Sequence, residues 1–238
     1  SMPYANGSGH HTFVRNGDEL YAIYHVHGHE SQISYAIARY LFADRASFAD
    51  DKIVVNGPSN CLMWLPESVS GYQNLARSAK IEVSGGQGET YLNDEILPYY
   101  AYNENAVYSK NGDITVTLKF DRAVSVRAIM IYNAPTVYSA FSKIDKIEFE
   151  LAEKAAFMNK DYKIAVISDL EYPKVYLSET DESEYKACAP AVAEFEEIKV
   201  NSIKITLSAG NKLINYNKDG SQNKTLALSE IVVLGVTL

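Results

Sequence analysis

The clearest pattern of apolar and polar positions lies between Gly112 and Tyr132, GDITVTLKFDRAVSVRAIMIY. Ile114, Val116, Leu118 and Phe120 alternate with Thr115, Thr117 and Lys119. Period-two alternation predicts a half-buried strand. Asp121 and Arg122 form a polar break, and Val126 to Tyr132 is apolar apart from Arg127. Such a run suits a strand covered on both faces. Alternation returns at Lys146 to Leu151, with Ile147, Phe149 and Leu151 inward, and at Ser202 to Leu207, with Ile203, Ile205 and Leu207 inward. The last apolar run is Ser229 to Val236, SEIVVLGV. Together these segments predict a sheet core.

Upstream the pattern is weaker. Met2 to Gly9 reads as loose, and His11 to Arg15 as a short strand. Asn16-Gly17-Asp18 is a hairpin signal, with Glu19 to His27 as the returning strand. Ser31 to Ala43 fits either helix or strand. Asp44 to Asp51 reads as a polar loop, Lys52 to Val55 as a short strand, and Asn56-Gly57-Pro58 as its end. These strands do not close a core by themselves. Pro66, Ser68, Ser70 and Gly71 mark a linker. Farther on, Glu150 to Tyr162 reads as a helix-compatible insertion and Asp181 to Lys186 as a solvated loop.

Composition narrows the function classes. At 238 residues the chain can form one large β domain, or a medium domain and a smaller piece. A net charge of −8 and the lack of a basic block argue against a nucleic-acid partner. No apolar run approaches the roughly 20 residues needed to span a bilayer. There is no signal peptide; Ser1-Met2 reads as a cloning remnant, which leaves room for a targeting segment upstream. Cys61 and Cys188 lie far apart and read as free buried thiols rather than a pair. The 18 tyrosines, against one tryptophan, suit a contact surface for sugars or proteins. There is no Walker loop, dinucleotide fingerprint or solenoid repeat.

All five histidines, His10, His11, His25, His27 and His29, fall in the first stretch. His25, His27 and His29 share strand parity, a spacing open to zinc binding or to lining a polar cleft. Neither a carboxylate pair nor a nucleophile elbow accompanies them.

Two resemblances organise the chain. Gly7-Ser8-Gly9-His10-His11-Thr12-Phe13, Gly17 to His25, Asp44-Arg45, Phe48, Asp50 to Ile53 and Asn56-Gly57-Pro58 resemble the last blade of glycoside hydrolase family 43. These are five-bladed β-propellers. The resemblance implies that His10 helps hold a calcium ion or its waters near the propeller axis. The family's catalytic carboxylates come from earlier blades, so none is assigned to this chain.

From residue 72 onward a second family fits. Asn74-Leu75-Ala76-Arg77-Ser78-Ala79-Lys80, Leu92-Asn93-Asp94, the strand at Gly112 to Phe120, Phe195 to Leu207 and Leu228 to Val233 resemble the discoidin, or coagulation factor 5/8 type C, superfamily. Carbohydrate-binding modules of family 32 share that fold. The family's glycine after the aspartate is Glu95 here, and its tryptophan near Tyr108 is absent. The implied class is all-β: a discoidin-like, galactose-binding-like jelly-roll β-sandwich, preceded by antiparallel strands of a partial blade. The implied division is a propeller remnant at 1–66, a linker at 67–71 and the sandwich at 72–238.

Glu230 stands in an apolar closing strand, where a lone carboxylate needs a partner or else solvent. The second resemblance implies a calcium ion between Asp94 and Glu230, completed by backbone carbonyls. Tyr99, Tyr100, Tyr102, Tyr138, Tyr216 and Asn217 lie in loops that the fold gathers toward one end. They supply the aromatic faces and amides that sugar sites use.

The expected function is a non-catalytic carbohydrate-binding or accessory module at the C-terminus of a polysaccharide-degrading glycoside hydrolase. Its partners would be a plant-type or host polysaccharide and an upstream propeller domain, in a secreted, periplasmic or cell-surface setting. Two alternatives stay open. The chain contributes to an active arabinosidase- or xylosidase-class enzyme completed by upstream blades, or it is a protein-adhesion module.

Overall fold

The computed structural model describes residues 5–28, 39–49, 51–59, 62–98, 106–109, 112–157, 160–171 and 188–238. The chain divides into two compact units, Ser1–Ser70 and Gly71–Leu238.

In the first unit, strands β1 (Ala5–Asn16), β2 (Glu19–Gly28), β3 (Arg39–Ala49) and β4 (Lys52–Val55) form an antiparallel sheet in that order. The hairpin signal is realised: Asn16 pairs with Glu19 across a turn in which Gly17 takes φ 61°. That left-handed conformation is where glycine costs least. Ala22, Tyr24 and Val26 alternate along β2 and pack with Ala46, Leu20, Phe42 and Val55. A short helix, α1 (Glu67–Ser70), closes the unit.

Two expectations fail here. Strand β1 begins at Ala5, well inside the segment expected to be loose. The expected polar loop from Asp44 is largely strand β3. Asp44 is buried and accepts hydrogen bonds from the Tyr24 and Ser59 hydroxyls. Arg45 is buried too. Its guanidinium lies 4.3 Å from the Trp64 ring centre and 5.3 Å from that of Tyr21, and donates to Glu19 at 2.5 Å. Polar residues with partners of this kind can stay inside a sheet.

The second unit is an antiparallel β-sandwich of jelly-roll type. Its strands are β5 (Gln73–Asn74), β6 (Lys80–Ser84), β7 (Val107–Ser109), β8 (Ile114–Asn133), β9 (Lys143–Phe157), β10 (Lys160–Glu171), β11 (Pro190–Leu207) and β12 (Leu226–Thr237). They run β10-β9-β11-β8-β12-β5, with β6 also on β8 and β7 on β12. Strand β8 realises the leading sequence pattern. Its first part pairs with β6 over residues 115–119 and its second with β12 over residues 124–133. Between them, residues 120–123 face the single residue Asn201 of β11. The polar break at Asp121 and Arg122 is thus an outward excursion that bends one strand, a device for turning a sheet corner. Leu118, Ile129, Ile131, Ile147, Phe149, Ile203 and Ile205 form the core.

The helix-compatible stretch at Glu150 to Tyr162 is instead the end of a hairpin, with Glu150 opposite Ile164 and Ala156 opposite Asp161. Local helix propensity is worth only tenths of a kcal/mol per residue, and the pairing of β9 with both β10 and β11 outweighs it.

Candidate functional site

Asp94 and Glu230 are brought together by the join between an early loop and the closing strand. Ile231 N–H donates to the Leu92 carbonyl at 2.9 Å, and Glu95 N–H to Glu230 Oε2 at 2.9 Å. Asn74 fastens the same corner: its Oδ1 accepts from Ala76 N–H and Val233 N–H, both at 3.1 Å, and its Nδ2 donates to Glu95 Oε1. Asp94 Oδ1 accepts from Ile96 N–H at 2.9 Å, an Asx turn that aims the carboxylate. Glu95 sits at φ 61°. That left-handed conformation is one that glycine adopts at least cost.

The electrostatics of this corner are those of carboxyl groups crowded together out of water. Glu230 is 0% exposed, and its Oε1 has no hydrogen-bond partner among the described residues. Burial, then the neighbouring charges of Asp94 and Glu95, hold its carboxyl well above the usual range. Burial also pushes Asp94 up to about 6, against the opposing hydrogen bond from Ile96. The cation at this corner, Arg77, contacts Glu95 at 3.8 Å rather than Asp94 or Glu230. Two oxygen donors, one of them buried with an orphaned oxygen, fit a hard divalent cation. Among the described residues no group of three or more His, Cys, Asp or Glu side chains is arranged to hold a metal ion by itself.

His10 belongs to the other unit. It takes φ 49°, and its ring lies 5.2 Å from that of His25. The side chain of His27 and the whole of His29 lie outside the described residues, as do Tyr99, Tyr100, Tyr102 and Cys61. Cys188 is buried, with its Sγ 3.4 Å from the Pro98 carbonyl and 3.5 Å from Ser229 Oγ.

The other expected sugar residues converge through the loops 134–142 and 208–225. Asn211 and Leu213 bond along the strand entry at 140–142: Ser142 N–H to Asn211 O at 2.7 Å and Leu213 N–H to Ala140 O at 2.9 Å. Tyr138 lies half-buried in a 3-10 turn, Val137–Ser139. Its carbonyl accepts from Lys212 Nζ at 3.1 Å and from Asn223 Nδ2. Lys218 Nζ stands 5.8 Å from its ring centre. Tyr216 is 66% exposed and pairs in the backbone with Gln222. Asn217 does not point its amide nitrogen outward; Nδ2 donates to Ser221 Oγ at 2.9 Å, and its backbone N–H to Ser221 O at 2.8 Å. It therefore holds the turn that presents Tyr216.

Lys212, Lys218 and Asn223 were not among the sequence candidates. Lys212 is 5% exposed, and burial alone draws its ammonium down to about 8. Nothing local distinguishes it in sequence from the solvated lysines of the same loop. Only the antiparallel seam with residues 140–142 puts it inside.

No family model matches the chain, and no curated protein does. Among solved structures it is similar to the lectin domain of Lectinolysin complexed with Lewis B antigen, at 14% identity over 69% of this chain and 98% of that one, with a TM-score of 0.41. It is also similar to a fucolectin from striped bass (Morone saxatilis) serum, at 16% identity, 69% and 49% coverage and a TM-score of 0.42. A third is the family 32 carbohydrate-binding module of C. perfringens NanJ in complex with galactose, at 10% identity, 68% and 98% coverage and a TM-score of 0.42.

Proposed function

We propose that the second unit is a non-catalytic carbohydrate-binding module, accessory to a polysaccharide-degrading glycoside hydrolase, and that residues 1–66 are the end of that enzyme's propeller. The observation that carries the reading is Tyr216. A large aromatic side chain stands in solvent on a loop that Asn217, Ser221 and Asn223 fix. Such a ring offers a flat apolar face to the C–H side of a sugar, at little ordering cost because its loop is already held. Tyr138 and the neighbouring amides supply further contact and hydrogen bonds.

In this reading Asp94 and Glu230 hold a structural calcium ion that neutralises the buried corner and clamps the closing strand to the early loop. The ion supplies charge compensation and no chemistry. A secreted setting follows from such a role, since extracellular fluid carries calcium at concentrations that suit weak structural sites.

Binding of the full chain to an array of neutral glycans, including fucosides, galactosides, arabinans and xylans, tests the reading. Capture of at least one glycan, lost in Tyr216→Ala with the melting temperature unchanged, supports it. A glycan-blind chain that still captures cell-surface protein makes it an adhesion module.

A further inference from the structure

Lys212 is a cation in an unusual place. Its Nζ reaches the Tyr138 carbonyl, and the next residue, Leu213, packs on a cluster formed by Ala134, Ala140 and Ala227. An ammonium has three donors. Tyr138 O takes one of them, and no carboxylate among the described residues pairs with the group. A buried charge is kept at a cost of several kcal/mol unless it is paired.

A second cation stands on the other side of the same tyrosine. Lys218 is exposed, and its ammonium faces the Tyr138 ring, a cation–π arrangement. Asp219 beside it is turned to its own loop, where Oδ1 accepts from the Ser221 backbone N–H at 2.9 Å and hydroxyl at 2.6 Å. Two lysines thus bracket one aromatic residue in a protein whose net charge is −8. The exposed ring of Tyr216 belongs to the same loop.

We propose that the Tyr138, Lys212 and Lys218 corner recognises the anionic group of an acidic saccharide, a carboxylate or a sulfate ester on the sugar ring. This rests on the carbohydrate-binding reading and names its ligand class. The anion completes the donor set of Lys212 by a charge-assisted hydrogen bond, Lys218 adds attraction from the solvent side, and the tyrosines hold the ring. The neutral carbonyl of Tyr138 holds the ammonium without neutralising it.

The test is calorimetric titration of the full chain with matched sugars: lactose against 3′-sialyllactose, galactose oligomers against galacturonate oligomers, and galactose against its 6-sulfate. The sialyl and galacturonate pairs report a carboxylate, and the sulfate pair reports a sulfate ester. At least one anionic member should bind tenfold or more tightly than its neutral partner, and the preference should shrink as salt is raised. Lys212→Met should abolish the preference, and Lys218→Ala should reduce it severalfold. Should Lys212→Met fail to fold, by loss of its near-ultraviolet circular dichroism, Lys218→Ala on the exposed face decides. A preference unchanged in Lys218→Ala, or retained in folded Lys212→Met, overturns the proposal. Equal affinity for neutral and acidic partners also overturns it while sparing the carbohydrate reading. Binding to none of these sugars overturns the proposal as well, and the carbohydrate reading then rests on the glycan array.

Discussion

The backbone N–H of Glu95 donates to Glu230 Oε2 at 2.9 Å, joining residues 135 apart in sequence. The bond does two jobs. It satisfies one oxygen of a carboxylate that the closing strand has buried, and it fixes the loop that carries Asp94. The other oxygen of Glu230 lacks such a partner among the described residues.

Calcium should therefore stabilise the second unit. At a hundredfold excess over its dissociation constant the gain is about 2.7 kcal/mol. Scanning calorimetry should show a melting transition that falls in chelator and returns with calcium. Glu230→Gln keeps an oxygen for the Glu95 N–H and removes the charge, so it should melt at one temperature in both conditions. A wild-type transition indifferent to chelator after exhaustive dialysis would end the calcium reading.

Glu95 holds φ 61° while its side chain is held by Asn74 and Arg77. A residue with a Cβ pays roughly 1 kcal/mol in that region and glycine does not. Glu95→Gly and Glu95→Ala both lose the side-chain contacts, but only alanine keeps the strain. Urea denaturation should find the glycine variant more stable than the alanine variant by about 1 kcal/mol. Equal stability would mean that the loop relaxes away from this conformation.

Burial draws the Lys212 ammonium from its ordinary 10.5 to about 8. Below pH 8 both folded and unfolded chains carry the proton, and the folded state bears the full desolvation cost. Between about 8 and 10.5 the unfolded chain binds more protons, so stability rises with pH across that window. The difference amounts to roughly 3 kcal/mol at most. Lys212→Met should lack this rise, and the two stability curves should converge toward pH 10.5. Curves that run parallel from pH 7 to 10.5 would show that the ammonium is solvated.

The chain alone should not hydrolyse aryl arabinosides or xylosides, because the resembled family draws its acid and base from earlier blades. Turnover that vanishes on substituting a residue of this chain would refute that.

The extent of legibility in the sequence varies from residue to residue for physical reasons. The alternation of Ile114, Val116 and Leu118 is a signal of period two, and β8 follows it. Glu230 was legible because a carboxylate among Ile231, Val232 and Val233 has few ways to exist. Asp44 and Arg45 misled because their partners, Ser59, Trp64 and Glu19, are set by tertiary packing rather than by neighbours in sequence. The stretch after Glu150 misled because its helix formers are overruled by the hairpin pairing of β9 with β10. Lys212 gave no signal at all, since a lysine in a polar loop is normally solvated.

Strand β12 pairs with β5, β7 and β8. All three are made long before it during synthesis. Until residue 237 clears the ribosome, β8 has β11 on one edge but no partner on the other along residues 124–133. The nascent second unit therefore waits, open along that seam, for its final dozen residues, and Glu230 arrives with them. Closure is a single late, long-range event, the kind that slows folding and exposes the waiting strand to aggregation. Ribosome-bound chains stalled before residue 226 should stay protease-sensitive throughout this unit.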